Sequence, residues 1–208
     1  MLLRKIKNYW TFISFLGVSE RDYHRVSTRK IIFSNKIALI IAISTIIGFF
    51  TDLVSELILR RDYNFLLALR ILYIAPSLSI IPLLHHYKFH KLAKSLVPII
   101  PTFFILFFPF IINQTNNQFI LIYPIFTLSL SLIIPLVFSF RYERPYFIGF
   151  SLLYLLIISF HPNIIDLLSG NEIKILDLIR GYYLPYSLSL VFCFSLIMLI
   201  VSYVTETN

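Results

Sequence analysis

The stretch VSTRKIIFSNKIALIIAIS, residues 26–44, passes from a basic segment into an apolar one, yet Asn35 and Lys36 sit about a turn beyond the point where polarity should end. From Ile31 to Thr51 the chain offers roughly 20 residues with a single interior charge, enough for a helix across about 30 Å of hydrocarbon. Lys36 has a stem long enough to return its ammonium to the headgroups. An asparagine amide has no such reach, so Asn35 needs a partner on a neighbouring helix or on the segment that precedes the span.

The rest of the chain has the same character. It has 208 residues, of which 58% are hydrophobic and only 13% charged, too few charges to cover the surface of a soluble domain of this length. Five glycines and no alternating ten-residue pattern favour helices over an outer-membrane barrel. The fold expected is an all-α integral membrane protein with six spans, roughly Ile31–Thr51, Phe65–Leu84, Leu92–Ile112, Phe119–Phe140, Tyr146–Ile165 and Tyr182–Val204. His161-Pro162 should kink or end the fifth, because proline removes a hydrogen bond.

Charge in the loops sets an orientation. The first 30 residues, HHYKFHKLAK and RYERP together carry 12 Lys/Arg, whereas the three alternate loops carry four. By the positive-inside rule both termini are cytoplasmic. The formal charge of +8 then reports loops facing anionic lipid rather than a nucleic-acid partner. Three segments follow: a basic N-terminal region, 1–30; the six-helix domain, 31–204; and a cytoplasmic stub, 205–208. Within the first, Leu3, Ile6, Trp10 and Ile13 recur at helical spacing beside Arg4, Lys5 and Lys7, which predicts an amphipathic helix lying in the interface with Trp10 at headgroup depth. No cleavable signal is recognisable.

Catalytic constellations are not found. Ser151 and His161 on one helix are about 15 Å apart, beyond a nucleophile–base hydrogen bond. His86 and His90 stand four apart with His85 adjoining, a spacing that can hold a metal on one helix face, but Lys88, Lys91 and Lys94 disfavour a cation. The one cysteine, Cys193, allows neither an intrachain disulfide nor a thiolate cluster. No cofactor or metal is expected, and no enzyme activity within this span.

Arg70 lies some six residues inside the second span, where a charge needs a partner or a route to the surface. It can snorkel, or pair with an acid on the outer side. Arg70, Tyr73, Asp166 and Asp177 form the candidate ligand-facing or coupling cluster, and Asn35 the candidate junction residue. A short outer helix over 171–180, with Asn171 as its cap, is expected between the last two spans. Prolines 76, 82, 98, 101, 109, 124 and 135 fall in or at the ends of spans, where kinks suit a cavity or a moving element. Asn113-Gln114-Thr115 fits the glycosylation sequon, in a loop too short and close to the bilayer for ready use.

Leu16-Gly17-Val18, then a short charged segment, Arg29-Lys30-Ile31-Ile32 and Asn35 opening the first span, resemble the N-terminal six-helix membrane regions found ahead of bacterial class III adenylate/guanylate cyclases and sensor histidine kinases. The likeness rests on about 20 residues and on the six-span, both-ends-inside layout. It implies a membrane anchor and receptor-like module in the bacterial inner membrane, a homodimer, with an unknown small-molecule or lipid ligand. It also implies that a conformational bias passes through the sixth helix, around Tyr203–Glu206, into a coiled coil and a catalytic domain; these residues hold neither, so the chain is expected to be either the membrane portion of a longer protein or a stand-alone relative. No catalytic residue carries over. The rival reading is a small solute or ion transporter or channel, whose pathway would need mid-bilayer polar groups. Candidates such as Ser77, Ser79, Ser129 and Ser131 recur two apart and cannot share one helix face, so helix packing explains them better.

Overall fold

The structure, a computed structural model, describes residues 2–19, 25–59, 65–108, 117–168 and 183–207. Its elements are helices α1 (Leu2–Ser14), α2 (Val26–Leu59), α3 (Phe65–His86), α4 (His90–Thr102), α5 (Asn117–Ser131), α6 (Ile133–Val137), α7 (Arg144–Leu168) and α8 (Tyr183–Thr207). A π-helical turn, Phe103–Phe107, continues α4. No strand occurs among the described residues. The chain forms two compact units, Met1–Pro101 and Thr102–Asn208.

In the first unit α2 and α3 make the main contact. Thr28, Ile31, Asn35, Ala38 and Ala42 are buried on α2, and Ile74, Leu78, Ile81 and His85 on α3. Both sets recur every three or four residues, so each is one helical face. Ala38, Ala42 and Ala75 keep that face narrow, which lets the backbones approach closely where lipid offers no hydrophobic drive between helices. A hydrogen bond between Ser34, near the start of α2, and His85, near the end of α3, makes the pair antiparallel.

The second unit packs α5, α6 and α8 against α7. Its core holds Tyr123, Ile134, Tyr154, Ile158 and Ile165. Phe138, just past α6, stacks on Tyr146 and Phe150 of α7, with centroids 5.8 and 5.3 Å away and planes within 6° and 17°. These offset ring pairs fasten the turn between the two helices.

Among the described residues, four helical stretches are long and apolar enough to cross a membrane: Val26–Thr51, His90–Phe107, Arg144–Ile165 and Leu188–Thr205. Tyr123–Val137 is a shorter apolar one. Their outer faces agree with that use. Ile43, Ile47 and Phe50 on α2 and Leu188, Phe192, Leu199 and Tyr203 on α8 are exposed, continuous apolar surface of a kind that soluble monomers avoid.

Helix α2 runs from Val26 to Leu59, beyond the expected Ile31–Thr51, and the backbone departs from regular α-helix at three places that prolines account for. The expected fifth span, Tyr146–Ile165 with a kink or an end at His161-Pro162, lies within α7, which runs on to Leu168 with Pro162 inside it. Pro162 has no N–H to give to the Ile158 carbonyl four residues back. The neighbouring His161 ring does so instead, Nδ1 donating to Ile158 O at 2.9 Å. The fourth span is broken at Leu132, whose N–H turns to Ser129 O at 3.3 Å, because Pro135 cannot bond the Ser131 carbonyl. In the third, the Phe108 N–H reaches back five residues to Phe103 O, a π-turn following Pro98 and Pro101. The expected helix at 171–180 and the sequon at 113–115 lie outside the described residues.

The His161 arrangement yields a double-mutant test. His161→Ala should cost about 1–3 kcal/mol by stranding a buried carbonyl. The cost should largely vanish in a Pro162→Ala background, where residue 162 regains its N–H. Equal losses in both backgrounds, measured by reversible unfolding in mixed micelles, would show that the ring does not serve that carbonyl.

Candidate functional site

One end of the first unit gathers the last turn of α1, the first turns of α2, the end of α3 and the start of α4. Here α1 closes with Ser14 Oγ donating to Trp10 O at 2.7 Å. Phe15 and Leu16 N–H groups turn back to Thr11 and Ile13 carbonyls. The carbonyls of Ser14 and Leu16 are then left facing α2, beyond the reach of the helix's own donors. Asn35 supplies both bonds: its Nδ2 donates to Ser14 O and to Leu16 O, each at 3.1 Å. The side chain is fully buried, and two carbonyls on one end of the amide fix which end is nitrogen. Its Oδ1 has no hydrogen-bond partner among the described residues.

Gly17 follows at φ +82°, a left-handed turn that leads the chain away from α1. It also lies against α3, since a Cβ here would collide with the carbonyl oxygen of His85. Leu16-Gly17-Val18 is therefore a close-packed bend, with one residue presenting a carbonyl to α2 and the next presenting bare backbone to α3.

His85 is the polar centre of this end. It is fully buried; Nε2 lies 3.0 Å from Ser34 Oγ on α2 and Nδ1 lies 3.1 Å from Nδ1 of His90 on α4. The two rings stack with centroids 5.4 Å apart. One Nδ1 must donate and the other accept, so the contact holds a single proton between two imidazoles. Burial, then the nearby His90 and Lys94, hold the His85 pKa down to about 3. At neutral pH its ring is uncharged.

Between them the chain turns on Lys88. Phe89 N–H bonds Leu84 O at 2.9 Å and Lys88 N–H bonds His85 O at 3.1 Å. This is the paired pattern of a Schellman helix end, in which the left-handed position is usually glycine. Here that position is Lys88, φ +66°, at a cost of roughly 1 kcal/mol.

The second unit has two polar features of its own. Thr102 and Tyr154 share a short, buried hydroxyl–hydroxyl hydrogen bond, and the Tyr123 ring lies over His161 at 6.3 Å and 19°. At the end where α6 stops, the Glu143 carboxylate accepts from Ser139 N–H at 3.2 Å, and Ser139 Oγ accepts from Tyr142 N–H at 3.3 Å. Ser139 N–H is thereby diverted from the Pro135 carbonyl it would bond in a continuing helix. That carbonyl takes Thr205 Oγ1 of α8 at 3.1 Å instead.

The residues singled out from sequence are placed unequally. Asn35 meets the segment preceding the span. Tyr73 is exposed on α3, and its carbonyl accepts from Ser77 Oγ at 2.7 Å. Arg70 and Asp166 lie on the helices α3 and α7, but their side chains, and Asp177 entirely, are outside the described residues. Of the four-residue cluster, only the Tyr73 side chain therefore falls among the described residues. Of the histidines, His85 and His90 meet while His86 is exposed. The spacing of four that paired His86 with His90 presumes one continuous helix, and the Lys88 turn interrupts it. No group of three or more metal-ligating side chains occurs among the described residues. No family model, curated protein or solved structure matches this chain.

Two measurements probe the junction. Asn35→Ala strands the Ser14 and Leu16 carbonyls, so α1 should loosen; Trp10, the one tryptophan, should show altered emission and easier quenching by aqueous iodide. Unchanged quenching would mean that other contacts hold α1. For His85, a folded pKa near 3 lies below the unfolded 6.5, so the unfolded chain takes the proton first as pH falls. Stability should be level above pH 6.5 and decline from there toward 3, and His85→Asn should flatten the slope.

Proposed function

We propose that this chain is a six-span sensory or regulatory module of a bacterial cytoplasmic membrane, with both termini in the cytoplasm. It acts as a homodimer and controls a signalling domain, such as a nucleotide cyclase or histidine kinase, joined beyond α8. The observation that carries this reading is the Asn35 joint. A buried amide ties the interfacial helix to the first span, while the adjoining Gly17 seats the same bend on the end of α3. A shift in how α1 lies on the membrane is thus transmitted to two spans by contacts that a solute pathway does not require. The bias is small-molecule or lipid in origin, and it acts only through a difference in affinity between two helix packings. On the output side, the Thr205 hydroxyl near the end of α8 lies 3.1 Å from the Pro135 carbonyl and 3.2 Å from the Ser202 carbonyl of its own helix, so a repacking can shift its bond from one to the other.

A transporter is the second reading, favoured by the buried Thr102–Tyr154 pair and by the Tyr123–His161 stack within apolar helices. The two separate in one pair of experiments. With a cyclase domain fused in frame after Asn208, Asn35→Ala and Thr205→Val should each change basal activity, by roughly 5- to 150-fold for a coupling of 1–3 kcal/mol. No change in either variant defeats the regulatory reading. A saturable solute flux in liposomes, abolished by Arg70→Ala, would establish the transporter in its place. Reporter fusions at Lys91 and Asn116 should fall on opposite sides of the membrane, and matching sides would overturn the six-span layout.

A further inference from the structure

The α3–α4 turn has a conformation that its central residue makes costly. Lys88 occupies the left-handed position of a helix end where glycine or asparagine fits without strain. Non-glycine residues persist in that region where the surroundings, or a function, require the side chain. The flanking residues point to which. Tyr87 and Phe89 are 69% and 58% exposed, and Leu92 on the next turn is 52% exposed. Lys88 and Lys91 are exposed beside them. The turn is therefore a tip on which cations alternate with aromatic rings, at one end of a pair of apolar helices. Tyr9 and Phe12, on α1, are also exposed, and α1 is held at this same end by Asn35 and Gly17.

Among the described residues, charge at this end has one sign. Arg25, Lys88, Lys91 and Lys94 lie here, with no acidic residue among the described residues of this end. Burial, then the neighbouring His90 and Lys94, also keep the His85 ring neutral. Aromatic rings that sit at headgroup depth and lysines that meet phosphates are the two components of interfacial lipid contact.

We propose that the Tyr87-Lys88-Phe89 turn, with Lys91, binds the phosphate-bearing headgroup of an anionic phospholipid in the adjoining leaflet. Lys88 adopts its left-handed conformation because that aims a cation outward between two rings seated in the interface. The inference rests on the membrane location of the chain and not on its sensory role, so either can fail alone.

The test uses the full chain in detergent, with lipid adducts counted by native mass spectrometry. Phosphatidylglycerol and phosphatidylcholine are added separately to wild type, Lys88→Gly, Lys88→Asn and Lys36→Asn. Wild type should retain phosphatidylglycerol in preference to phosphatidylcholine. Lys88→Gly and Lys88→Asn should each lose roughly fivefold of that preference, the contribution of one lysine close to an anionic surface. Both should also unfold at an equal or higher temperature, since both relieve the left-handed strain. Lys36→Asn removes a cation on α2, outside the turn, and should lower the preference less than the Lys88 variants do. The proposal is overturned if phosphatidylglycerol is not preferred, or if the Lys88 variants bind it as wild type does. An equal loss in Lys36→Asn overturns it too, because net charge alone would then account for binding. If inorganic phosphate at millimolar concentration displaces phosphatidylglycerol fully, the site recognises a free anion and the lipid assignment falls. Should Lys88→Gly not fold, Lys88→Asn carries the comparison.

Discussion

A carbonyl without a donor is the constraint from which most of this structure follows. In hydrocarbon, water cannot repair a broken backbone hydrogen bond, and the chain breaks several, through its prolines and through helix ends. Several of the conspicuous polar contacts are repairs. Asn35 serves Ser14 and Leu16, His161 serves Ile158, Thr205 serves Pro135, and the Lys88 turn closes the end of α3 on itself. These four are placed by where the backbone fails. A reading that sought ligands for every buried hydroxyl or imidazole would misassign most of them.

This explains which parts were legible in the sequence. Apolar runs marked where the helices lie, because each must be long enough for the hydrocarbon, although α2 extends well past its run. Asn35 was legible because a short amide that deep in an apolar stretch has few alternatives to a protein partner. His161-Pro162 was read as a kink or an end of the helix; the helix continues, and the His161 ring takes the carbonyl that Pro162 leaves. The rule that proline costs a hydrogen bond is correct, but it leaves open who replaces the bond. Thr205 and Pro135 lie 70 residues apart, and no periodicity connects them. Their contact depends on Glu143 capturing a third residue's N–H. The His85–His90 pair was missed for a related reason: helical spacing applies only within one helix, and a lysine is a poor advertisement for a left-handed turn.

The two units solve the same problem with different means. The first relies on small residues for close helix contact and concentrates its polar groups at one end, around His85. The second spreads them along the helices, at Tyr154, His161 and Ser139, and stiffens the α6–α7 turn with stacked rings. Stability in the first should therefore depend on a few residues at the junction, and in the second on many.

Helix α2 carries one further implication. It has 34 residues, Val26–Leu59, so at 1.5 Å each it is a rod about 51 Å long. Its apolar stretch ends at Thr51, and the last eight residues stand roughly 12 Å past it. The Asn35 joint grips this rod near its other end. Levers gripped there convert angle into travel: a ten-degree tilt about the joint carries the far tip through about 6 Å, a displacement comparable to one helical turn.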